Sequence, residues 1–424
     1  MATQLMEKIL SKENLEIAEK AVTANKGSAG IDGMKIEELS RFIKENGDEI
    51  TDKIRARKYR PLPVKRVQIP KPDGSKRNLG IPSVKDRWLQ QAVYQVLSPM
   101  FEEEFSSSSY GFRPGRKCEG AIIKGLELMN NGYDWLVDMD LSKFFDNVNQ
   151  DILMILVHKV IKDSDTESLI RRFLQSGVMV EGVYEETKIG TPQGGNLSPL
   201  LANIYLNEFD KELESRGLRF TRYADDCIIY VRSEMAANRV MKSVTKWLFE
   251  KLQVQVNVTK TKVCRPNEVK YLGFSFYRNK SGIWRPKPHI KSIEKLKAKL
   301  KEYSKRSWSV SVDYRISKLN PVIRGWVNYF RICDMKTILQ KLDSWLMVRI
   351  RMCIWKQWKT PQRREWGLRK LGMNPFWAHV NANSRKGIMA IASSGIMNST
   401  VTNAVLKRKG LLSLADHYQL VLNY

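Results

Sequence analysis

No stretch of this sequence stays apolar for the roughly 18 residues a membrane-crossing helix needs. The mean hydropathy is −0.39, so an integral membrane protein is not expected. Histidine is scarce, at 4 residues, and none of the 5 cysteines (Cys118, Cys227, Cys264, Cys333, Cys353) forms a C-x-x-C pair. A zinc site and a disulfide framework are therefore not expected, and the odd, scattered count fits reduced intracellular thiols. The opening "MATQLMEKILSKENLEIAEK" reads as a charged amphipathic helix and lacks the apolar core of a secretory signal. The expected location is the cytosol, with no membrane partner. Internal repeats and low-complexity linkers are also lacking.

Acidic residues are the remaining shortage: 45 Asp and Glu face 72 Lys and Arg, a net charge of +27. Residues 281–424 carry about +21 of it, so the C-terminal third is a concentrated cation. A surface shaped only by solubility mixes signs and carries less net charge. An asymmetric cation of this size suits a polyanion, and charge alone leaves nucleic acid and anionic lipid both open. At 424 residues, two or three domains are expected.

What is present is a sequence of compact blocks. Residues 1–60 read as helical, broken by "NKGSAGIDG" (25–33). "VQIPKPDGSKRNLGIP" reads as two strands joined at Asp73-Gly74, with a helix from about Ser83. "FSSSSYGFRPGR" (105–116) is a loop, and a helix is expected from about Cys118 to Asn130. "YDWLVDMDLSKFFDNV" (133–148) is a strand entering a helix, with helices to about 177. "GTPQGGNLSPLLANI" is a glycine-rich turn that leads into a long helix. A hairpin in "FTRYADDCIIYV" (220–231), a helix (235–251) and further strands follow, and residues 281–360 read as all-helical.

The few acids are oddly placed. In "WLVDMDL" the strand alternation puts Val137, Met139 and Leu141 on one face and Asp138 and Asp140 on the other. The hairpin turn lifts adjacent Asp225 and Asp226 to the lip of a neighbouring strand. Like charges this close repel, and shared divalent cations would remove the repulsion. Hard cations such as Mg²⁺ take oxygen ligands and keep waters and phosphates as further ligands. Either acidic pair alone reads as a solvated turn or helix cap; the conjunction points to phosphoryl-transfer chemistry.

The ordered blocks "IPKPDGSKRNLGIP", "SSYGFRPGR", "VDMDLSKFFDNV", "GTPQGGNLSPLLANI", "YADD", "VNVTKTK" and "YLGF" resemble the reverse transcriptases throughout. "NKGSAGIDG", and "LNPVIRGWVNYF" (319–330), resemble the group II intron branch, the maturases, and its thumb (domain X). The resemblance implies an α+β right-hand polymerase. Fingers and palm with an N-terminal extension would occupy 1–280, a helical thumb 281–365, and a basic DNA- or RNA-binding region 366–424. It implies two Mg²⁺ ions, with Mn²⁺ as a substitute, held by Asp140, the Leu141 carbonyl, Asp225 and Asp226. Phe145 matches an aromatic steric gate against a ribose 2′-hydroxyl. Lys71 and Arg77 match fingers residues that grip a triphosphate. Gln193 matches a glutamine near sugar and base, and Lys260 a general acid for departing pyrophosphate, with Lys262 two residues away. Tyr271, Leu272, Gly273 and Phe274 match the primer grip, and Arg113 and Arg324 are assigned to primer or template.

"HIKSIEKLKAKLKEY" places Ile290, Ile293, Leu296 and Leu300 on one stripe with lysines elsewhere, as suits a helix packed apolar side down along a duplex. "IRMCIWKQWKTPQRREWGLRK" interleaves tryptophans with bases, as suits nucleic-acid contact, although at least one of Trp355 and Trp358 is expected in the core. Gln150 stands where many family members have histidine, and a structural role is expected there. Asn320 and Pro321 are expected to cap and restart a helix. The tail has no cysteine pair, so the resemblance narrows to the compact type without an endonuclease domain, similar to group IIC intron proteins. The expectation is a monomeric RNA-directed DNA polymerase acting on dNTPs, an RNA template and a DNA primer. Structured intron RNA would be its partner in splicing and mobility. The alternatives are a domesticated relative in DNA repair or phage defence, a non-catalytic splicing factor, or an RNA-copying RNA polymerase, against which Phe145 argues.

Overall fold

Three helices open the chain: α1 (Gln4–Ile9), α2 (Lys12–Ala24) and α3 (Leu39–Arg55). Thr3 and Ser11 cap the first two by accepting from the backbone N–H three residues on, which satisfies a donor that a helix start leaves open. The computed structural model describes residues 3–70, 74 and 76–422. Two units divide the chain after Arg265.

The first unit continues with the antiparallel hairpin of β1 (Val64–Pro70) and β2 (Lys76–Ile81), whose register runs from Lys65 opposite Ile81 to Pro70 opposite Lys76. Asp73 of the expected turn lies outside the described residues. Ser83 caps α4 (Val84–Glu102), and α5 (Cys118–Asn130) follows the serine-rich loop. Then come β3 (Trp135–Met139), the short α6 (Phe144–Asn147), α7 (Gln150–Ile161), α8 (Ser164–Leu174) and the small hairpin β4 (Val178–Val180) and β5 (Val183–Glu185). The unit closes with α9 (Ser198–Ser215), β6 (Arg219–Tyr223), β7 (Asp226–Val231), α10 (Glu234–Leu252) and β8 (Lys262–Cys264).

Among the described residues of this unit the strands form two four-stranded sheets, ordered β2-β1-β4-β5 and β6-β7-β3-β8. Every pairing in the second sheet is antiparallel. α5 and α10 pack on it. Val137 and Met139 are buried while Asp138 is only half-buried, so the alternation read from "WLVDMDL" holds. The first unit is α+β, as expected.

The second unit begins with a hairpin of β9 (Phe274–Arg278) and β10 (Trp284–Pro288). β10 corrects the all-helical expectation for 281–360. Its two prolines hide it from a strand reading, yet they are tolerated because, among the described residues, β10 pairs with β9 alone in a two-stranded sheet. The expected domain boundary at 280 falls inside this hairpin, where Arg278 pairs with Trp284. Helices follow: α11 (Ile290–Tyr303), α12 (Val312–Tyr329), α13 (Lys336–Gln357), α14 (Pro361–Lys370), α15 (Pro375–Ala382), α16 (Ile388–Ala392), α17 (Gly395–Thr400), α18 (Asn403–Arg408) and α19 (Leu414–Leu422).

Two further expectations are corrected here. Helix α12 runs through Pro321 without a restart, capped at Ser311. The Asn320 side chain is instead spent on tertiary bonds, donating to the Gly410 carbonyl (2.8 Å) and accepting from Leu412 N–H (3.0 Å). On α11, Leu296 and Leu300 are buried, but Ile290, the first residue of the helix, is 60% exposed, so the apolar stripe does not extend to it. Trp355 is buried, as expected of at least one of the two tryptophans, and the half-buried Trp358 packs edge-on against it at 6.0 Å. All 5 cysteines are free. Among the described residues no helix is long and apolar enough to cross a membrane.

Candidate active site

The acids converge through the central sheet. Tyr223 pairs with Asp226 across the β6–β7 turn, and Ala224 takes a left-handed φ of 58° to close it. On the other flank, β7 pairs with β3 so that Met139 faces Cys227. Extending that register by one residue sets Asp140 opposite Asp226. β8 on the far side of β3 sets Lys262 opposite Asp138. Asp138, Asp140, Asp225 and Asp226 thus share one region, and Lys260 Nζ lies 3.3 Å from Asp140 Oδ2.

Electrostatics record this crowding. Burial, then the charges of Asp225, Asp138 and Asp140, push the Asp226 carboxyl up to about 6, with Lys260 opposing. By area Asp226 remains exposed, but the rise stands on its three acidic neighbours as well as on the surrounding protein. Asp138 is likewise pushed up to about 6 by burial, with Lys262 opposing and Asp140 assisting.

The segment before β8 grips Asp140 by its backbone. Its N–H donates to Thr261 Oγ1 (3.1 Å), and its carbonyl accepts from Asn257 N–H (2.7 Å). Leu141 bridges Val256, but the bonds of that bridge come from the neighbouring residues, so the Leu141 carbonyl takes no part in it. Among the described residues no three acidic, histidine or cysteine side chains converge into a ready-made metal cage. The donors instead form an open set of hard oxygens with a lysine ammonium standing at Asp140 where a cation is favoured, and this suits a cation that keeps waters and phosphates as ligands.

A buried network that the sequence did not signal supports the turn from beneath. Arg222 and Asp210 are 1% and 0% exposed at their side chains and form an ion pair. Arg222 also donates to the Asn203 Oδ1 and to the Ala224 carbonyl, both at 3.0 Å. Asn203 in turn donates to the Gly111 carbonyl (2.8 Å). Gly111 lies so close that a Cβ there would stand 2.2 Å from Ala224 N. The "SSYGFRPGR" block therefore underlies the acidic turn. Arg113 is turned inward in that loop, paired with Glu102 (2.7 Å) and donating to the Ser109 carbonyl (2.9 Å).

The expected nucleotide residues gather at a second feature of the same unit. A cavity of about 430 Å³ is lined by Arg66, Asn78, Gly80, Phe145, Thr191 and Gln193, among others. Asp140, Asp225 and Asp226 are not part of its wall. Arg77 Nε donates to Gln193 Oε1 (3.1 Å), and Gly80 N–H donates to the Gln193 carbonyl (2.9 Å), so β2 and the glycine-rich loop are tied. Thr191 N–H donates to the Phe145 carbonyl (2.7 Å). Phe145 is buried, edge-on to Phe144 at 5.4 Å. Lys71 lies outside the described residues.

In the second unit, Tyr271 and Phe274 exchange backbone bonds around Leu272 and Gly273, both at positive φ (51° and 84°). The Leu272 carbonyl accepts from the Tyr329 hydroxyl and the Gly273 carbonyl from the Ser292 hydroxyl, each at 2.9 Å. A cavity of about 550 Å³ beside this turn is lined by Lys270, Lys291, Lys295 and Lys299 over Trp326 and Phe330. Arg324 is exposed on α12 and is not part of that lining.

Comparison with known proteins places these features. The family described as reverse transcriptase (RNA-dependent DNA polymerase) matches residues 69–276, and the group II intron maturase-specific domain matches residues 293–372. Protein YkfC of Escherichia coli is 31% identical over 320 residues, 66% of this chain and 84% of that protein. The group II intron-encoded protein LtrA of Lactococcus lactis is 36% identical over 227 residues, 53% of this chain and 38% of LtrA. The chain therefore spans well under half of LtrA's length. A solved structure of a partial Cas6-RT-Cas1–Cas2 complex aligns with 58% of this chain and 42% of that chain, at 24% identity and a TM-score of 0.37.

Proposed function

The chain belongs to the group II intron reverse transcriptases, and on that premise we propose that it copies RNA into DNA by nucleotidyl transfer at Asp140, Asp225 and Asp226. The reading is supported by the sheet register, which pairs Met139 with Cys227 and Tyr223 with Asp226 and which, extended by one residue, brings Asp140 to Asp226 with Asp225 next in the turn. These carboxylates and the Leu141 carbonyl would hold two Mg²⁺ ions, or Mn²⁺, whose charge when bound stabilises the attacking and leaving oxygens of an in-line displacement.

The chain's own groups do the rest. Lys260, at Asp140, carries a proton suited to the departing pyrophosphate. Arg77 and Gln193, already joined, hold the incoming dNTP at the edge of the cavity that Phe145 walls. Phe145, on the wall of that cavity, would be the ring that meets a ribose 2′-hydroxyl. Arg113 positions the loop beneath the turn, and through it the template. In the second unit, Tyr271, Leu272, Gly273 and Phe274 seat the DNA primer, with the neighbouring lysines and Arg324 on phosphates. The maturase-specific match and the +21 charge of residues 281–424 support binding of structured intron RNA, splicing and retromobility. A cytoplasmic monomer fits this work.

The test is a Mg²⁺ titration of primer extension with dNTPs, wild type against Asp226→Asn. Mg²⁺-saturable extension by the wild type alone supports the reading. Equal extension by both removes Asp226 from the chemistry.

A further inference from the structure

The cavity walled by Phe145 has a wall that is not self-supporting. Residues 187–193 have no regular structure, and their position depends on a few bonds. Gly190 N–H donates to the Val148 carbonyl (2.8 Å) and Thr191 N–H to the Phe145 carbonyl (2.7 Å). Gly190 has a φ of 88°, and a Cβ there would stand 2.8 Å from the carbonyl oxygens of both Phe145 and Asp146. The loop and the gate are thus in backbone contact.

Behind them sits Gln150, the first residue of α7, 4% exposed. Its Nε2 lies 3.0 Å from the Gly190 carbonyl, 3.3 Å from the Leu174 carbonyl and 3.5 Å from the Thr187 carbonyl. Three carbonyls around one end of a side chain can be met only by a donor, which fixes the amide orientation. The Oε1 at the other end has no partner among the described residues. A buried polar atom left unmet is costly, so the donor end must be worth its place. What it joins is the end of α8 to both ends of the loop's first half.

We propose that Gln150 is a positioning residue that holds the 187–193 loop against Phe145, and so sets the fit of the incoming nucleotide's sugar. This rests on the reading of that cavity as the nucleotide pocket. Gln150 touches no nucleotide itself; it acts through Gly190, Thr191 and Phe145.

The test measures steady-state primer extension on an RNA template with dNTPs and with rNTPs, for wild type and Gln150→Met. Methionine keeps the length and removes both donors. The expected result is a rise of about 10-fold in KM for dNTP, the effect of losing a buried hydrogen-bonded anchor, with kcat changed less than about 3-fold. Preference for dNTP over rNTP falls in parallel. Gln150→His, with one ring N–H to offer, restores most of both. In a Phe145→Ala background the Gln150→Met change adds nothing further to the lost sugar preference, because both act on one wall. Should Gln150→Met fail to fold, Gln150→Asn withdraws the same amide by one methylene and gives a smaller shift of the same kind. A lowered melting temperature with unchanged KM and preference overturns the proposal, as do additive effects with Phe145→Ala. A wild type that extends no primer overturns the polymerase reading itself, and this inference with it; a wild type that extends normally beside an unaltered Gln150→Met overturns the inference alone.

Discussion

Arg222→Met removes one half of a fully buried ion pair. Asp210 is left with no exposed side-chain surface and no paired cation, only the more distant charge of Arg113, and burial already drives its carboxyl upward against the pull of Arg222. Breaking one side of such a pair costs about 3–5 kcal/mol. Against a domain stability of about 5–15 kcal/mol the loss is large. At an m value near 2 kcal/mol/M it lowers the urea midpoint by roughly 2 M. Replacing both partners, as Arg222→Met with Asp210→Leu, removes the stranded charge and should recover most of the lost stability. It does not restore the donor to the Ala224 carbonyl or to Asn203. The turn that carries Asp225 and Asp226 is then loosely held, and misplacement of reacting groups by about 1 Å costs on the order of 100-fold in rate. Urea unfolding and primer extension on the same preparations separate the two effects. The double variant should be stable and slow. A double variant that copies RNA at the wild-type rate would show that Arg222 does not hold the turn, and an Arg222→Met protein with a wild-type midpoint would show that the pair is not a stability determinant.

Other outcomes follow from the same geometry. Gly111→Ala puts a Cβ 2.2 Å from Ala224 N, so extension should fall steeply while RNA binding, measured by filter retention, persists; normal extension would mean the two loops part easily. Thr261→Val deletes the hydroxyl that receives the Asp140 N–H, and should lower kcat more than it raises KM for dNTP. Asp138 and Asp226 stand near 6 in the folded chain against about 4 unfolded, so the folded form holds protons that the unfolded form releases. Their contribution to metal-free stability is full below pH 4 and is lost as pH rises through about 6. Relative to Asp138→Asn with Asp226→Asn, the wild type should melt lower at pH 7 than at pH 5, and Mg²⁺ should narrow the gap at pH 7. A difference between the two proteins that is independent of pH would contradict this.

Much of the site was legible because strand periodicity is a strong local signal. The alternation in "WLVDMDL" and the pairing of "FTRY" with "DDCIIYV" place acids and apolar residues on opposite faces, and the sheet has that form. Asp138 was readable as a neighbour of Asp140 by the same alternation, though its place among the four acids was not assigned. The support beneath was not legible. Arg222 and Asp210 belong to different elements, and nothing local marks an arginine as buried. Arg113 was assigned to primer or template by its block, and nothing local signalled that its guanidinium is committed to Glu102 and to loop carbonyls. β10 was missed because its prolines outweigh its pattern, and the Asn320-Pro321 break was expected because local capping chemistry says nothing of the Gly410–Leu412 segment that takes up the Asn320 side chain.

The decisive measurement is extension of a DNA primer on an RNA template with Mg²⁺ and dNTPs, wild type beside Asp225→Asn, with RNA binding measured on both. Extension by the wild type, none by the variant and equal binding would establish reverse transcription through the acidic turn. Tight RNA binding by both with extension by neither would contradict it, and would leave a binding-only role in splicing.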